Sequence, residues 1–145
     1  MTVEDELYQA ARDGKLDVIR ELLPRASNLG RTTWRKFKSP LHAATRAGQT
    51  EAVRLLIAAG VNLDCVEEMA PSGDSFTALH FASLNGHVEC VRLLLQAGCD
   101  YNKIGRWGFW NTSYDGTPLD WARKERREEI IEIFNDFTGK CPVVS

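Results

Sequence analysis

Two stretches of this chain answer each other residue for residue. Ser39-Pro40-Leu41-His42-Ala43-Ala44, Gly48, Val53-Arg54-Leu55-Leu56 and Ala59-Gly60 return as Thr77-Ala78-Leu79-His80-Phe81-Ala82, Gly86, Val91-Arg92-Leu93-Leu94 and Ala97-Gly98, each position 38 residues later. A unit of this length cannot bury its apolar side alone and must stack on its neighbours, so the copies predict a solenoid. Solenoids act through extended surfaces, which points to binding before catalysis.

The units read as helix pairs. Apolar residues recur at helical spacing over residues 17–23, 51–59, 89–97 and 128–134, and a shorter apolar helix precedes each one, over 7–12, 41–47, 79–85 and 119–125. Gly14, Gly48 and Gly86 separate the helices of a pair, where a tight turn needs a residue free of Cβ clash. Gly60 and Gly98 stand where second helices stop, and Pro40 and Pro118 where first helices start. Thr2, followed by Glu4, Asp5 and Glu6, suits the opening of the first helix.

The third copy carries Thr77, Leu79, His80, Ala82, Gly86, His87, Val91, Leu94, Leu95 and Gly98, and the second carries Pro40, Leu41, His42, Ala44, Gly48, Val53, Leu56, Ile57 and Gly60. This pattern resembles the ankyrin repeat. A divergent unit follows with Gly116-Thr117-Pro118-Leu119-Asp120-Trp121-Ala122, Ile130-Ile131 and Phe134, and one precedes with Leu7, Ala10, Gly14, Val18 and Leu22-Leu23. The resemblance implies an all-α ankyrin-repeat solenoid of four helix-turn-helix units joined by long β-hairpin fingers. It forms one domain over 1–145: an N-terminal cap at 1–28, repeats at 39–64 and 75–102, a C-terminal cap at 114–137, and a frayed tail at 138–145. It also implies that His42 and His80 tie neighbouring turns together, and that fingers and first helices line a concave face. The last unit departs from the family pattern. Asp120 replaces its histidine, Arg126 stands at its turn glycine, and charge runs from Arg123 to Glu129, as suits a polar outer face on a terminal unit.

Composition narrows the function. With 18 Lys and Arg against 20 Asp and Glu, the net charge of −2 gives no steering toward nucleic acid or an anionic membrane. No apolar run reaches membrane-spanning length and the start lacks a signal-peptide pattern, so the chain is expected in the cytosol or nucleus. Cys65, Cys90, Cys99 and Cys141 form no C-x-x-C pair, and the histidines have no ligand-spaced companions, so no metal or cofactor is expected. Cys90 and Cys99 read as packing residues. Nothing brings nucleophile, base and oxyanion donors together, and Gly105–Gly108 lacks the lysine and Ser/Thr of a phosphate loop, so no enzyme is expected.

The fingers hold the individuality. An ankyrin unit repeats at about 33 residues, yet Leu41 to Leu79 spans 38 and Leu79 to Leu119 spans 40, with the excess between units. The first finger has Arg31, Arg35, Lys36 and Lys38, the second Asp64, Glu67, Glu68 and Asp74, the third Trp107, Phe109, Trp110 and Tyr114 beside Lys103 and Arg106. Acidic and basic fingers can attract one another, at about 0–1 kcal/mol per exposed pair. Some finger aromatics should pack as a satellite core, and at least one of Trp34, Trp107 and Trp110 should meet a partner. Trp107 and Phe109 should share one face of a hairpin tip.

The expected partner is another protein, bound by a chain that is monomeric alone. Candidate contacts on the fingers are Trp34, Arg35, Phe37, Glu67, Glu68, Arg106, Trp107, Phe109, Trp110 and Tyr114. Candidates on the concave helices are Arg46, Leu84 and Asn85. Leu84, apolar where solvent is expected, either touches a ligand or is covered by the third finger. An alternative is small-ligand or nucleotide binding, with Trp107 or Trp110 stacking a base and Arg106, Lys103 or Lys36 on phosphate.

Overall fold

Thr2 begins the first helix by capping it. Its hydroxyl accepts the Asp5 N–H at 3.2 Å while the Asp5 carboxylate accepts the Thr2 N–H at 3.2 Å, satisfying two donors that a helix start leaves open. The Thr2 N–H first, and then the Thr2 hydroxyl, which donates to the same carboxylate at 2.9 Å, hold the Asp5 carboxyl below its ordinary range. The computed structural model describes residues 2–27, 29, 39–69, 74–107 and 114–140, with the backbone alone at Glu68, Met69, Trp107, Tyr114, Gly139 and Lys140.

Four helix pairs follow one another. They are α1 (Val3–Asp13) with α2 (Leu16–Leu22), α3 (Pro40–Ala47) with α4 (Thr50–Ala58), α5 (Ala78–Asn85) with α6 (Val88–Gln96), and α7 (Pro118–Lys124) with α8 (Glu128–Lys140). A 3₁₀ turn at Leu23–Arg25 follows α2. Ser39, Thr77 and Thr117 cap the first helices of the later units through their hydroxyls. Gly48 and Gly86 end two of these helices at φ +72° and +77°, a conformation in which a side chain would be strained.

First helices stack on first helices and second on second, giving an inner row α1-α3-α5-α7 and an outer row α2-α4-α6-α8. The core lies between the rows. Leu7, Leu41 and Leu79 enter it from inside, and Ile19, Leu56, Leu94 and Phe134 from outside, all essentially without solvent exposure. Each such side chain stabilises the stack by roughly 2 kcal/mol. Cys90 and Cys99 fill the same core. Burial pushes both thiols up, Cys99 to about 12, so they are neutral packing groups at pH 7.

The second and third connections contribute strands to one sheet. Strands β1 (Glu67–Met69) and β2 (Asp74–Phe76) pair antiparallel, with Glu67 opposite Phe76. Strands β3 (Gly105–Trp107) and β4 (Tyr114–Gly116) do the same, with Trp107 opposite Tyr114. Ser75 opposite Arg106 joins the two hairpins into one sheet of order β1-β2-β3-β4.

Two details at the end of the chain differ from the sequence expectation or extend it. The segment read as a tail from 138 is helical to Lys140. Phe137 supplies the reason, packing edge-on against Tyr101 with ring centres 5.7 Å apart, while the Thr138 hydroxyl bonds the Phe134 carbonyl at 2.8 Å. Arg126, at the family's glycine position, adopts φ +55°, alone among the described non-glycine residues. Arg126→Gly should therefore relieve backbone strain that outweighs glycine's greater freedom in the unfolded chain, a net gain of about 0.5–1 kcal/mol. Calorimetry should show Tm rising by about 2–4 °C, and a fall in Tm would mean the turn is unstrained.

Candidate functional site

The site is built by ties between units. His42 Nε2 donates to the Phe76 carbonyl at 2.9 Å, and His80 Nε2 to the Gly116 carbonyl at 3.1 Å, so each inner helix holds the foot of the next strand. The His80 ring is oriented by its other nitrogen, which accepts the Thr77 N–H at 3.2 Å. Burial, the largest cause, drives both imidazoles down from their ordinary pKa, His80 to about 4, so both are neutral and act as hydrogen-bonding struts. Asp120 instead turns its carboxylate to the Thr117 N–H at 3.0 Å and caps its own helix. His42 Nδ1 also meets the buried Cys65 thiol at 3.8 Å, whose pKa burial raises.

A second set of ties runs along the turns. Gln49 donates to the Arg12 carbonyl at 3.2 Å, His87 to the Arg46 carbonyl at 3.1 Å, and the Arg127 guanidinium to the Leu84 carbonyl at 3.1 and 3.3 Å. Gln49, His87 and Arg127 hold equivalent places in three units, directly after the left-handed turn residues Gly48 and Gly86 in two of them and Arg126 in the third. His87 is thus a structural link.

On the inner face one position per unit reads Arg12, Arg46, Leu84 and Lys124. The position three residues earlier in the last three units reads Ala43, Phe81 and Trp121. The Arg46 guanidinium lies over the Phe81 ring at 4.3 Å and reaches Glu67 on β1 at 3.1 Å. Lys124 lies over Trp121 at 4.8 Å. Phe76, from β2, meets Phe81 at 5.4 Å and Trp121 at 5.6 Å, both edge-on. Cations held over aromatic faces gain about 0.5–1 kcal/mol or more each. The finger sheet is thereby locked to α5 and α7, and Arg46 and Lys124 lie over a buried aromatic floor.

The expected contact residues fall into three groups. Trp34, Arg35, Phe37, Phe109 and Trp110 lie outside the described residues. Glu68, Trp107 and Tyr114 stand on strands of the sheet. Among the rest, Arg46 and Glu67 are brought together. Glu67 is only 6% exposed, and its second carboxylate oxygen lacks a hydrogen-bond partner among the described residues. Arg106 is exposed on β3 with Asp115 at 3.5 Å, and Asn85 is exposed at the end of α5. Leu84 is half-buried against the cluster of Phe76, Phe81 and Trp121. Asp64, counted with the acidic finger, accepts the Asp100 N–H at 2.6 Å, and its carbonyl accepts Lys103 Nζ at 2.8 Å. The aromatic floor escaped the sequence reading, although the alignment of Phe81 with Trp121 in successive units carries it.

Where the floor residue is Ala43, the inner face opens into a cavity of about 240 Å³ between α1 and α3, lined by Tyr8, Arg12, Ala43, Arg46 and Ala47. Among the described residues no group of three or more His, Cys, Asp or Glu side chains could hold a metal ion, and no helix is long and apolar enough to cross a membrane.

A family model described as ankyrin repeats (3 copies) matches residues 7–105. A putative ankyrin repeat protein of fowlpox virus (strain NVSL) is 33% identical over 74 residues. That match covers 51% of this chain and 17% of the viral protein, so the chain spans a small part of that relative's length.

Proposed function

Because this chain belongs to the ankyrin-repeat family, we propose that it is a protein-interaction module that receives another protein on the face formed by its inner helices and finger sheet. It acts by binding alone, as a monomer, in the cytosol or nucleus. The observation that carries this reading is the preassembled row over the aromatic floor, with Arg46 fixed by Glu67 and Phe81, and Lys124 set over Trp121. Side chains ordered before the partner arrives lose little entropy on binding. Charged side chains held in place by a buried aromatic floor suit a protein partner. Asn85, at the end of α5, and Arg106, on β3, are exposed to such a partner.

Capture from cell lysate tests the reading, with quantitative mass spectrometry as readout. The baits are the wild-type chain, an inner-face variant (Asn85→Arg with Arg106→Glu) and an outer-face variant (Glu129→Lys). A protein partner should be held by wild type and Glu129→Lys and reduced at least tenfold by the inner-face variant. Equal retention by all three folded baits would move the site off this face.

A further inference from the structure

Resting on that reading, we infer that the cavity between α1 and α3 is the specificity pocket of the inner face and takes an acidic side chain, aspartate or glutamate, of the partner. The pocket exists because of one change in the repeat. Phe81 and Trp121 fill the floor position in the last two units, and Ala43 leaves it open in the second. Ala47 keeps the neighbouring wall low as well.

Arg12 and Arg46 line the space so created. Arg12 and Arg46 occupy equivalent places in adjacent units, so the stack sets them side by side across the cavity. Arg46 is positioned from behind by Glu67 at 3.1 Å and by the Phe81 ring at 4.3 Å, and it spends one N–H on that carboxylate. Arg12 touches Asp13 at 3.2 Å through an exposed pair between chain neighbours, the kind of contact a competing carboxylate displaces at little cost. Planar guanidiniums match the planar, two-oxygen geometry of a carboxylate. At about 240 Å³ the space falls below the 300–1,000 Å³ typical of cofactor and drug-sized pockets. It suits one inserted side chain, with Tyr8 and the two alanines offering apolar contact to its methylenes.

Fluorescence anisotropy with a labelled hexaglutamate peptide tests the inference, with labelled hexalysine as the comparison. Four proteins, each checked for folding by circular dichroism, are titrated: wild type, Arg12→Gln, Ala47→Phe and Arg92→Gln. Ala47→Phe obstructs the cavity while leaving both arginines, and Arg92 lies on α6 in the outer row. The expected result is binding of hexaglutamate in preference to hexalysine, weakened about tenfold by Ala47→Phe and at least fivefold by Arg12→Gln, and unchanged by Arg92→Gln. Indifference to Ala47→Phe, or equal weakening by Arg92→Gln, would overturn the pocket by showing diffuse attraction of charge. Preference for hexalysine with sensitivity to Ala47→Phe would overturn the acidic occupant while leaving the inner face as the docking surface. Failure of the broader reading shows elsewhere, as a protein partner retained by the inner-face variant.

Discussion

Trp121→Ala should destabilise the chain by about 3–5 kcal/mol, the range for removing a fully buried large aromatic. The ring has no solvent exposure, and three elements converge on it. Phe76 reaches it from β2 and Lys124 from its own helix, while Phe81 and Leu84 of α5 belong to the same cluster. A small α-helix turn cannot collapse to fill such a hole while the His80 tie to Gly116 holds α5 and β4 at their spacing. Urea melts should show the midpoint falling with an unchanged slope, and thermal melts a Tm lower by about 10–15 °C. Against a typical stability of about 5–15 kcal/mol the variant sits near the threshold of folding. Trp121→Phe keeps most of the contact and should cost about 1–2 kcal/mol. A loss below about 1 kcal/mol for Trp121→Ala would mean that the aromatic cluster is not what binds the sheet to the helices. Hydrogen exchange at Asp74–Phe76 gives an independent reading, since losing the ring should free β2 first.

The helices were legible because their causes are local. Apolar spacing, the capping Thr77 and Thr117, the prolines of α3 and α7 and the turn glycines all act within a few residues, and the helix bounds follow them. Repetition supplied the stacking, since identical units bury identical faces. Composition told less about the fingers. Charge content suggested attraction between them, but whether Glu67 faces water or Arg46 depends on strand register, which is set by pairing across the hairpins, with Glu67 opposite Phe76 and Ser75 opposite Arg106. The aromatic floor was hidden for the same reason. Phe81 and Trp121 hold equivalent positions in successive units, but Phe76 joins them only once the hairpin folds back on two helices. The end of α8 was misread because Tyr101, the residue that holds Phe137, lies in another unit.

The same ties that make the inner face rigid make the fold sensitive to acid. His80 titrates near 6.5 in an unfolded chain and near 4 in the folded one, because burial disfavours its charged form. Its Nδ1 also accepts the Thr77 N–H, so a proton there would set two donors against each other. Between pH 6.5 and 4 the unfolded state therefore binds a proton that the native state refuses. Stability must fall as pH falls through that window, by about 1.4 kcal/mol per pH unit for this residue, and it is flat with respect to it above about pH 7. Integrated over the window, His80 accounts for about 3 kcal/mol. His42, buried and shifted in the same direction, steepens the loss. His80→Gln isolates the effect, because its amide can still donate to the Gly116 carbonyl and cannot titrate. The variant should be weaker than wild type at pH 7.5, and the gap should close as pH is lowered to 4.5, with a slope shallower by about one proton. Urea-unfolding free energies measured at half-unit steps provide the test. Parallel curves for the two proteins would show that His80 takes up its proton equally in both states, and that acid unfolds this stack through other groups.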